Sequence, residues 1–242
     1  GVDFWIDGAE AHAVAAKEVV LAAGAVGSPQ ILQLSGIGPG RLLQENGIQV
    51  VRDLPGVGEN LQDHLQIRAV YKLKNAKTLN ERANSLMGKV GMGLEYILFK
   101  RGPMTMAPSQ LGVFTKSDEH LETPNLQYHV QPLSLDRFGE PLHPFPAITA
   151  SVCNLRPESR GYIRITSPDP RSKPAIKPNY LTADTDRQIA ANALKLTRKI
   201  ISSPAMSKYE PEEYLPGPTV ASDEDLTPVS YTHLRAHETP IN

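Results

Sequence analysis

The feature that most constrains the fold is a wholly apolar run at 19–23, Val-Val-Leu-Ala-Ala, which ends at Gly24. A short apolar run bounded by turn residues is typical of a strand buried on both faces of a parallel sheet. Small residues continue to Gly27, and Ser28 and Pro29 then favour the start of a helix, because serine caps helices and proline fits the first helical position. The sequence therefore predicts a strand, a glycine turn and a helix.

The turn between this strand and this helix is also a candidate ligand site. A helix N-terminus has N–H groups without acceptors and a partial positive charge, so it can hold an anionic or polar cofactor edge. On spacing alone, an ordinary strand-to-helix crossover explains the same residues. The glycines at 36, 38 and 40 are not a dinucleotide fingerprint, because they follow a helix and have the spacing G-x-G-x-G.

Shorter elements are predicted after this unit. A second helix is expected near 41–45, followed by a short strand at 48–51. Alternating apolar residues predict a strand at 65–74 with one buried face. Residues 83–100 can form a helix that is weakened by three glycines.

The later part of the chain predicts an antiparallel sheet and one long helix. Strands are expected at 125–131, 147–155 and 161–167, and strands without intervening helices favour antiparallel pairing. At 184–203 apolar residues recur at helical spacing before Pro204, which predicts a core-facing surface helix. Its expected core positions are Ile189, Ala193, Leu196 and Ile200.

Two polar clusters are candidates for binding. Residues 60–64 lie at the expected domain junction, where ligands often bind, although their composition alone favours a solvated linker. On the strand at 125–131, alternate side chains share one polar face, which either lines a substrate pocket or faces water. The residues of that face are Asn125, Gln127, His129 and Gln131.

Charge and composition exclude several classes of protein. The net charge is −1 over 242 residues, and no Lys/Arg cluster is interleaved with aromatic residues, so no nucleic-acid partner is predicted. Cys153 is the only cysteine and the seven histidines show no metal-ligand spacing, so neither an internal disulfide nor a metal site is predicted. The chain shows no signal peptide and no transmembrane run, which predicts a cytoplasmic or peripherally membrane-associated protein.

Several motifs resemble one enzyme family. The segment at 24–39, GAVGSPQILQLSGIGP, resembles the second signature of the glucose-methanol-choline (GMC) oxidoreductases nearly position for position. The segment at 54–64, LPGVGENLQDH, is similar to the family's next block. Three shorter segments resemble the start of the family's C-terminal region, namely RPESRG at 156–161, SPDP at 167–170 and PNYL at 178–181. The resemblance covers the chain from about residue 17 to about residue 205.

The resemblance implies a two-domain flavoprotein with α/β plus α+β architecture. Residues 1–66 would be the C-terminal part of an FAD-binding doubly wound α/β domain, and 67–221 would hold a substrate domain with an antiparallel sheet. The substrate would be a small-molecule alcohol, with Gln127 and His129 as pocket candidates. The residues implied to contact FAD are Ala23, Gly24, Ala25, Ser28, Pro29, Asn60, Asp63 and His64.

The same resemblance implies the chemistry of a choline dehydrogenase-like or alcohol dehydrogenase-like parent. Family members pass hydride from the carbinol carbon to flavin N5 while a histidine takes the hydroxyl proton. The family's G-x-G-x-x-G motif and its His-Pro block find no match here, so no catalytic residue, electron acceptor or oligomeric state is assigned. The chain is expected to be an inactive internal fragment. The alternatives are an FAD-containing hydroxynitrile lyase of the same fold and a non-enzymatic two-domain binding protein.

The end of the chain departs from the family pattern. Residues 222–228 start like a capped helix that Pro228 breaks. Residues 229–242 resemble the translation of a sequencing adapter, so we expect them to be a non-native tail.

Overall fold

The computed structural model describes residues 1–107, 109–136 and 139–220, together with the backbone of 234–235. The predicted features at 222–228 and most of the tail at 229–242 therefore lie outside the described residues. The helices are α1 Gly24–Leu34, α2 Gly40–Glu45, α3 Leu79–Asn84, α4 Leu86–Phe99, α5 Asp184–Ile201 and α6 Pro204–Ser207. The strands are β1 Val2–Ile6, β2 Ala9–Ala13, β3 Ile37–Gly38, β4 Arg52–Asp53, β5 Glu59–Leu61, β6 Gln66–Lys72, β7 Leu111–Thr115, β8 Leu126–Gln131, β9 Ala147–Asn154, β10 Gly161–Arg164, β11 Ala175–Lys177, β12 Glu212–Leu215 and β13 Leu234–Arg235.

The chain divides into two compact units. The first unit combines Gly1–Leu61 with Arg160–Pro178, and the second combines Gln62–Ser159 with Asn179–Asn242. The sequence interpretation treated the domains as consecutive, with a boundary at residue 66. The structure differs because β10 pairs with β5 and β11, which assigns a late stretch of the chain to the first unit.

The first unit is organised around a small antiparallel sheet. Strand β10 lies between β5 and β11, with Ile163 opposite Ile176. The turn before β5 approaches β10 so closely that a Cβ atom added to Gly58 would lie 2.1 Å from the Ile163 carbonyl oxygen. Gly58 also has φ +85°, so both its backbone conformation and its surroundings require glycine there.

The apolar run at 19–23 is not a strand in the structure, and the prediction of a buried strand was wrong for this chain. Val19 and Val20 are 50% and 79% exposed. A buried parallel strand needs hydrogen-bonded neighbours on both sides. Among the described residues, no strand pairs with this run.

The first helix is present but begins earlier than predicted. Helix α1 begins at Gly24, so Ser28 does not cap it and Pro29 lies inside it. The Ser28 hydroxyl instead accepts a hydrogen bond from the Ala23 N–H at 3.1 Å. The predicted stop is confirmed, since α1 ends at Leu34 and Gly36 follows with φ +80°.

The second helix is confirmed, as α2, but the strand predicted at 48–51 is wrong. The pairing occurs one position later, where β4 lies parallel to β3. The hydrogen bonds of Gly36 explain the shift, because its carbonyl oxygen accepts from both Val51 and Arg52 N–H groups.

The second unit contains an antiparallel sheet that includes two of the three strands predicted to pair, β8 and β9, whereas the third, β10, lies in the sheet of the first unit. The strand order is β12-β6-β9-β8-β7, and β13 also pairs with β6. Strand β6 is confirmed, but both of its faces are buried, whereas one buried face was predicted. One face packs in the core cluster with α5 through Ile67, Ala69 and Tyr71, and Arg68 and Val70 on the opposite face are also buried. The neighbouring strands β9, β12 and β13 pair with the two edges of β6.

Helix α5 covers one face of this sheet and is confirmed over Asp184–Ile201. Its buried face is rotated from the predicted stripe, because Ile200 is 43% exposed while Ala190, Leu194 and Thr197 are buried. The Tyr128 hydroxyl reaches the helix, where it donates to the Ala193 carbonyl at 3.1 Å and lies 2.9 Å from the Thr197 hydroxyl. Burial raises the pKa of Tyr128, and the hydrogen bond with Thr197 partly opposes this rise.

The predicted helix at 83–100 forms as two helices, α3 and α4, which meet at Ser85. The Ser85 side chain caps α4 by accepting from the Gly88 N–H. Helix α4 ends at Phe99, and the next residue, Lys100, adopts a left-handed conformation. Within the described part of the chain, no helix combines the length and the apolar character that a bilayer crossing requires.

Candidate functional site

The turn at the start of α1 lies in the first unit and presents small, accessible residues. Ala23, Gly24 and Ala25 are exposed, and Ser28 and Pro29 are half-buried. Gly24 has φ +77°, and a Cβ atom built on it meets nothing within 4 Å. Because α1 has no side-chain cap and no acidic residue in its first turn, its first N–H groups can bind an external acceptor.

Gln33 fixes this helix to the rest of the first unit. Its side-chain amide is fully buried and donates to the carbonyl oxygens of Val57 and Ile163, each at 3.0 Å. Its Oε1 accepts from the Ile165 N–H at 2.9 Å. The side chain therefore joins α1 to the turn before β5 and to the end of β10. A single polar residue in the apolar stretch Ile31 to Leu34 is the only sequence signal for this role, and it was missed.

Asn60 lies at the centre of β5 in the same unit. It is exposed and has φ +65°, which is an uncommon backbone conformation outside glycine. Its neighbour Glu59 is paired with Arg164 of β10, with Oε1 2.8 Å from a terminal guanidinium nitrogen. The Asn60 side chain is thus presented from a strand whose position is set by pairing with β10.

Asp63 and His64 lie in the second unit. The Asp63 carboxylate accepts from the His64 N–H at 2.9 Å and from the Tyr180 hydroxyl, so both of its oxygens have donors. The His64 ring is exposed, and its Nε2 lies 3.2 Å from the Leu155 carbonyl oxygen. Two of the segments that resemble the GMC family, at 54–64 and at 178–181, therefore meet through one hydrogen bond.

A buried carboxylate organises the motif at 156–161. Asp186, in the first turn of α5, accepts from the N–H groups of Glu158 and Ser159 at 2.9 and 2.8 Å and from the Asn154 amide at 3.1 Å. Three donors satisfy a carboxylate that is only 3% exposed. The sequence alone indicates only an acidic residue in the first turn of a helix, where a negative charge is favourable.

The polar face of β8 is mostly shielded from water. Gln127 and His129 are half-buried and Gln131 is buried. Cross-strand register sets His129 opposite Ser151, which is buried, and Gln127 opposite Cys153. The opposite face of β8 packs towards α5 through Leu126 and Tyr128, so the polar face lies on the side of the sheet away from that helix.

The only thiol of the chain lies on the same sheet face. Cys153 is buried on β9, and burial raises its pKa to about 11. The sulfur is therefore protonated at neutral pH and unsuited to nucleophilic chemistry. Within the described residues, no group of three or more His, Cys, Asp or Glu side chains is arranged to hold a metal ion.

The predicted cofactor and substrate-pocket residues are divided between the two units. The first unit holds Ala23, Gly24, Ala25, Ser28, Pro29 and Asn60, and the second holds Asp63, His64, Gln127 and His129. Gln33, Tyr180 and Asp186 were missed as site-building residues, because each acts through partners that are distant in sequence.

Comparisons with known proteins assign the family. Two models described as GMC oxidoreductase match the chain, the N-terminal one at 1–66 and the C-terminal one at 157–238. The two models describe the N-terminal and C-terminal parts of one family of oxidoreductases. The chain belongs to this family, the GMC oxidoreductases, as the motifs at 24–39 and 54–64 predicted.

One similar sequence is the oxygen-dependent choline dehydrogenase of Photobacterium profundum, which is 42% identical over 226 residues. That match covers 93% of this chain and 40% of the relative, so the chain spans about two fifths of the length of the curated relatives that it resembles.

Similar solved structures support the predicted fold class. An Aspergillus oryzae formate oxidase, studied for FAD modification, has a TM-score of 0.86 at 22% identity and is matched over 95% of this chain and 45% of its own. An FAD-dependent oxidoreductase from Chaetomium thermophilum has a TM-score of 0.73 at 25% identity, with 95% and 46% covered. The predicted fold class, an α/β part together with a part that contains an antiparallel sheet, is thereby confirmed.

Proposed function

We propose that the full-length parent of this chain is an FAD-dependent oxidoreductase that oxidises the CH–OH group of choline or a choline-like alcohol. The 42% identity to a choline dehydrogenase over 93% of this chain carries the proposal. The activity belongs to the parent protein, of which this chain supplies two parts: the start of α1 in the first unit and the polar sheet face in the second.

The start of α1 fits a flavin nucleotide. A polar or anionic edge needs hydrogen-bond donors and room for close approach. The uncapped first turn supplies the donors, and the absence of side-chain atoms at Gly24 supplies the room. We therefore assign cofactor contacts to Ala23, Gly24 and Ala25, with Ser28 and Pro29 shaping the turn.

Asn60, Asp63 and His64 are the other proposed cofactor residues. Asn60 presents an exposed amide, and the exposed His64 ring offers a nitrogen that can donate or accept a hydrogen bond. Asp63 has both of its oxygens engaged within the protein, so it shapes the segment instead of reaching outward.

The chemistry follows from the cofactor. When bound, FAD would accept the hydride that leaves the carbon bearing the substrate hydroxyl group. The residues of this chain bind and orient. Gln127 and His129 lie on a half-buried polar face, where an amide and an imidazole can hydrogen-bond the hydroxyl group of a substrate. We place both in the substrate pocket and assign neither as the base.

The test uses the full-length parent purified with its cofactor. Choline added without oxygen should bleach the flavin absorbance, whereas choline methyl ether, which lacks the hydroxyl proton, should not. If only another alcohol such as benzyl alcohol bleaches the flavin, the proposed substrate class is wrong. If no alcohol bleaches it, the protein is not an alcohol oxidoreductase, and cyanohydrin cleavage becomes the activity to assay.

A matched pair of glycines tests the cofactor site itself. Gly24 and Gly47 both have left-handed backbones, with φ +77° and +71°, and both have open space around them. Substituting either by alanine should therefore cost similar stability, about 1 kcal/mol. We expect Gly24→Ala to lower flavin content in the purified parent at least tenfold and Gly47→Ala to leave it unchanged. Equal flavin content in the two variants would mean that the turn at the start of α1 is not part of the cofactor site.

A further inference from the structure

The segment at 179–182 holds one tyrosine in a strained and well-anchored loop. Asn179 and Leu181, on either side of Tyr180, both have φ +54°. A leucine in this region is an outlier, and such residues persist only where the surroundings determine them. The surroundings do so here, because the Leu181 side chain is buried in the core and the Arg187 guanidinium donates to the Leu181 carbonyl at 2.8 Å.

The loop aims the tyrosine hydroxyl at Asp63. The Tyr180 ring packs against the hydrophobic core, and its hydroxyl donates to Asp63 Oδ2. The other carboxylate oxygen of Asp63 accepts from the His64 N–H. The Asp63 carboxylate is thus fixed by a residue that is distant in sequence, Tyr180. The same carboxylate fixes the backbone of His64, whose ring is exposed.

From this arrangement we infer that Tyr180 is a positioning residue for the flavin site. Tyr180 fixes the Asp63 carboxylate, and the carboxylate in turn fixes the backbone at His64. The inference rests on the proposed function, because it takes the segment at 63–64 as a cofactor contact. It adds a residue that touches no part of the cofactor and acts through Asp63. The left-handed backbone of Leu181 supports this role, because the loop keeps a strained residue next to the side chain that it positions.

The test compares Tyr180→Phe with Tyr214→Phe in the full-length parent. Tyr180→Phe keeps the ring that packs on the core and removes only the hydroxyl donor. Tyr214 is a suitable control, because its ring packs against Phe145 and His143 and its described contacts are ring contacts. Both variants should keep the wild-type circular dichroism spectrum.

We expect Tyr180→Phe to weaken flavin binding about tenfold, to shift the flavin absorbance maximum and to speed hydrogen exchange of the His64 amide. Tyr214→Phe should change none of these. Asp63→Asn should resemble Tyr180→Phe, and the double variant should be no worse than the poorer single variant, because the two residues act in one chain of contacts. A purely structural tyrosine would lower the melting temperature without moving the flavin spectrum.

Two results would overturn the inference while leaving the proposed function intact. One is a Tyr180→Phe protein with wild-type flavin affinity and spectrum, whether or not the His64 amide exchanges faster. The other is additive losses in the double variant. If the wild-type parent binds no flavin, both the proposed function and this inference are wrong. That result is obtained before any variant is compared, so the two failures can be told apart.

Discussion

Two apolar runs of this chain resemble each other in sequence and differ in structure. The run at 19–23 and the strand β6 are both rich in β-branched and small apolar residues, and both were predicted to be strands. Strand β6 has hydrogen-bonded neighbours on both edges and is buried on both faces. The run at 19–23 has no paired strand among the described residues, and Val20 is largely exposed. Composition sets the capacity to form a strand, whereas neighbouring strands decide whether it forms.

The largest effect should come from the core that β6 shares with α5. Leu194 is only 1% exposed and belongs to the cluster that joins the helix to the sheet. Leu194→Ala removes buried methyl groups and leaves a cavity, which costs about 3 kcal/mol of unfolding free energy. Leu98 on α4 is exposed, so Leu98→Ala should change the unfolding free energy by less than about 0.5 kcal/mol. Urea denaturation of both variants measures the difference, and equal losses would mean that α4 is packed as tightly as α5.

The next largest effect should come from the carboxylate beneath the motif at 156–161. Asp186→Asn keeps the shape but replaces one acceptor oxygen by a donor that faces backbone N–H groups. We expect a loss of about 2 kcal/mol, since hydrogen bonds to a buried charge are the stronger ones. Asp184 lies on the same helix turn with an exposed side chain, so Asp184→Asn should cost little. A similar melting temperature for the two variants would show that the loop does not depend on the buried carboxylate.

Contacts between side chains and distant parts of the chain, such as those of Asp186, could not be predicted from the sequence. Hydrophobic patterns were sufficient to locate α5 and strands β8, β9 and β10, although they misplaced the buried face of α5. The hydrogen-bond partners of Gln33, Asp186 and Tyr180 lie between 24 and 132 residues away in the sequence. No local sequence pattern encodes such distant contacts. The start of α1 was misplaced for a related reason. Ser28 and Pro29 form a good start signal, but the Ser28 hydroxyl bonds the Ala23 N–H, and the helix begins at Gly24.

A smaller change in stability is expected at high pH, and it should come from Cys153 on β9, the strand beside β6. Burial raises the pKa of Cys153 from 9.0 to about 11, so the folded state holds the thiol proton more tightly than the unfolded state. The stabilisation is therefore fully present below pH 9 and is lost as the pH rises from 9 to 11. At pH 10 the loss should be about 1 kcal/mol. Cys153→Ala removes this contribution, so the stability difference between the two proteins should change between pH 8 and pH 10. A constant difference would show that the thiol titrates normally.

The smallest effect should come from the exposed run itself. Val20 is 79% exposed, so Val20→Thr, which keeps the β-branched shape, should change the unfolding free energy of this chain by less than about 0.5 kcal/mol. In the full-length parent the same substitution tests whether a neighbouring strand covers the run. A buried hydroxyl in an apolar strand costs about 1–3 kcal/mol. A loss of that size in the parent, absent from this chain, would show that the predicted strand forms once its neighbours are supplied. Equal small changes in both proteins would mean that the run at 19–23 stays exposed and that its apolar composition predicted the wrong structure.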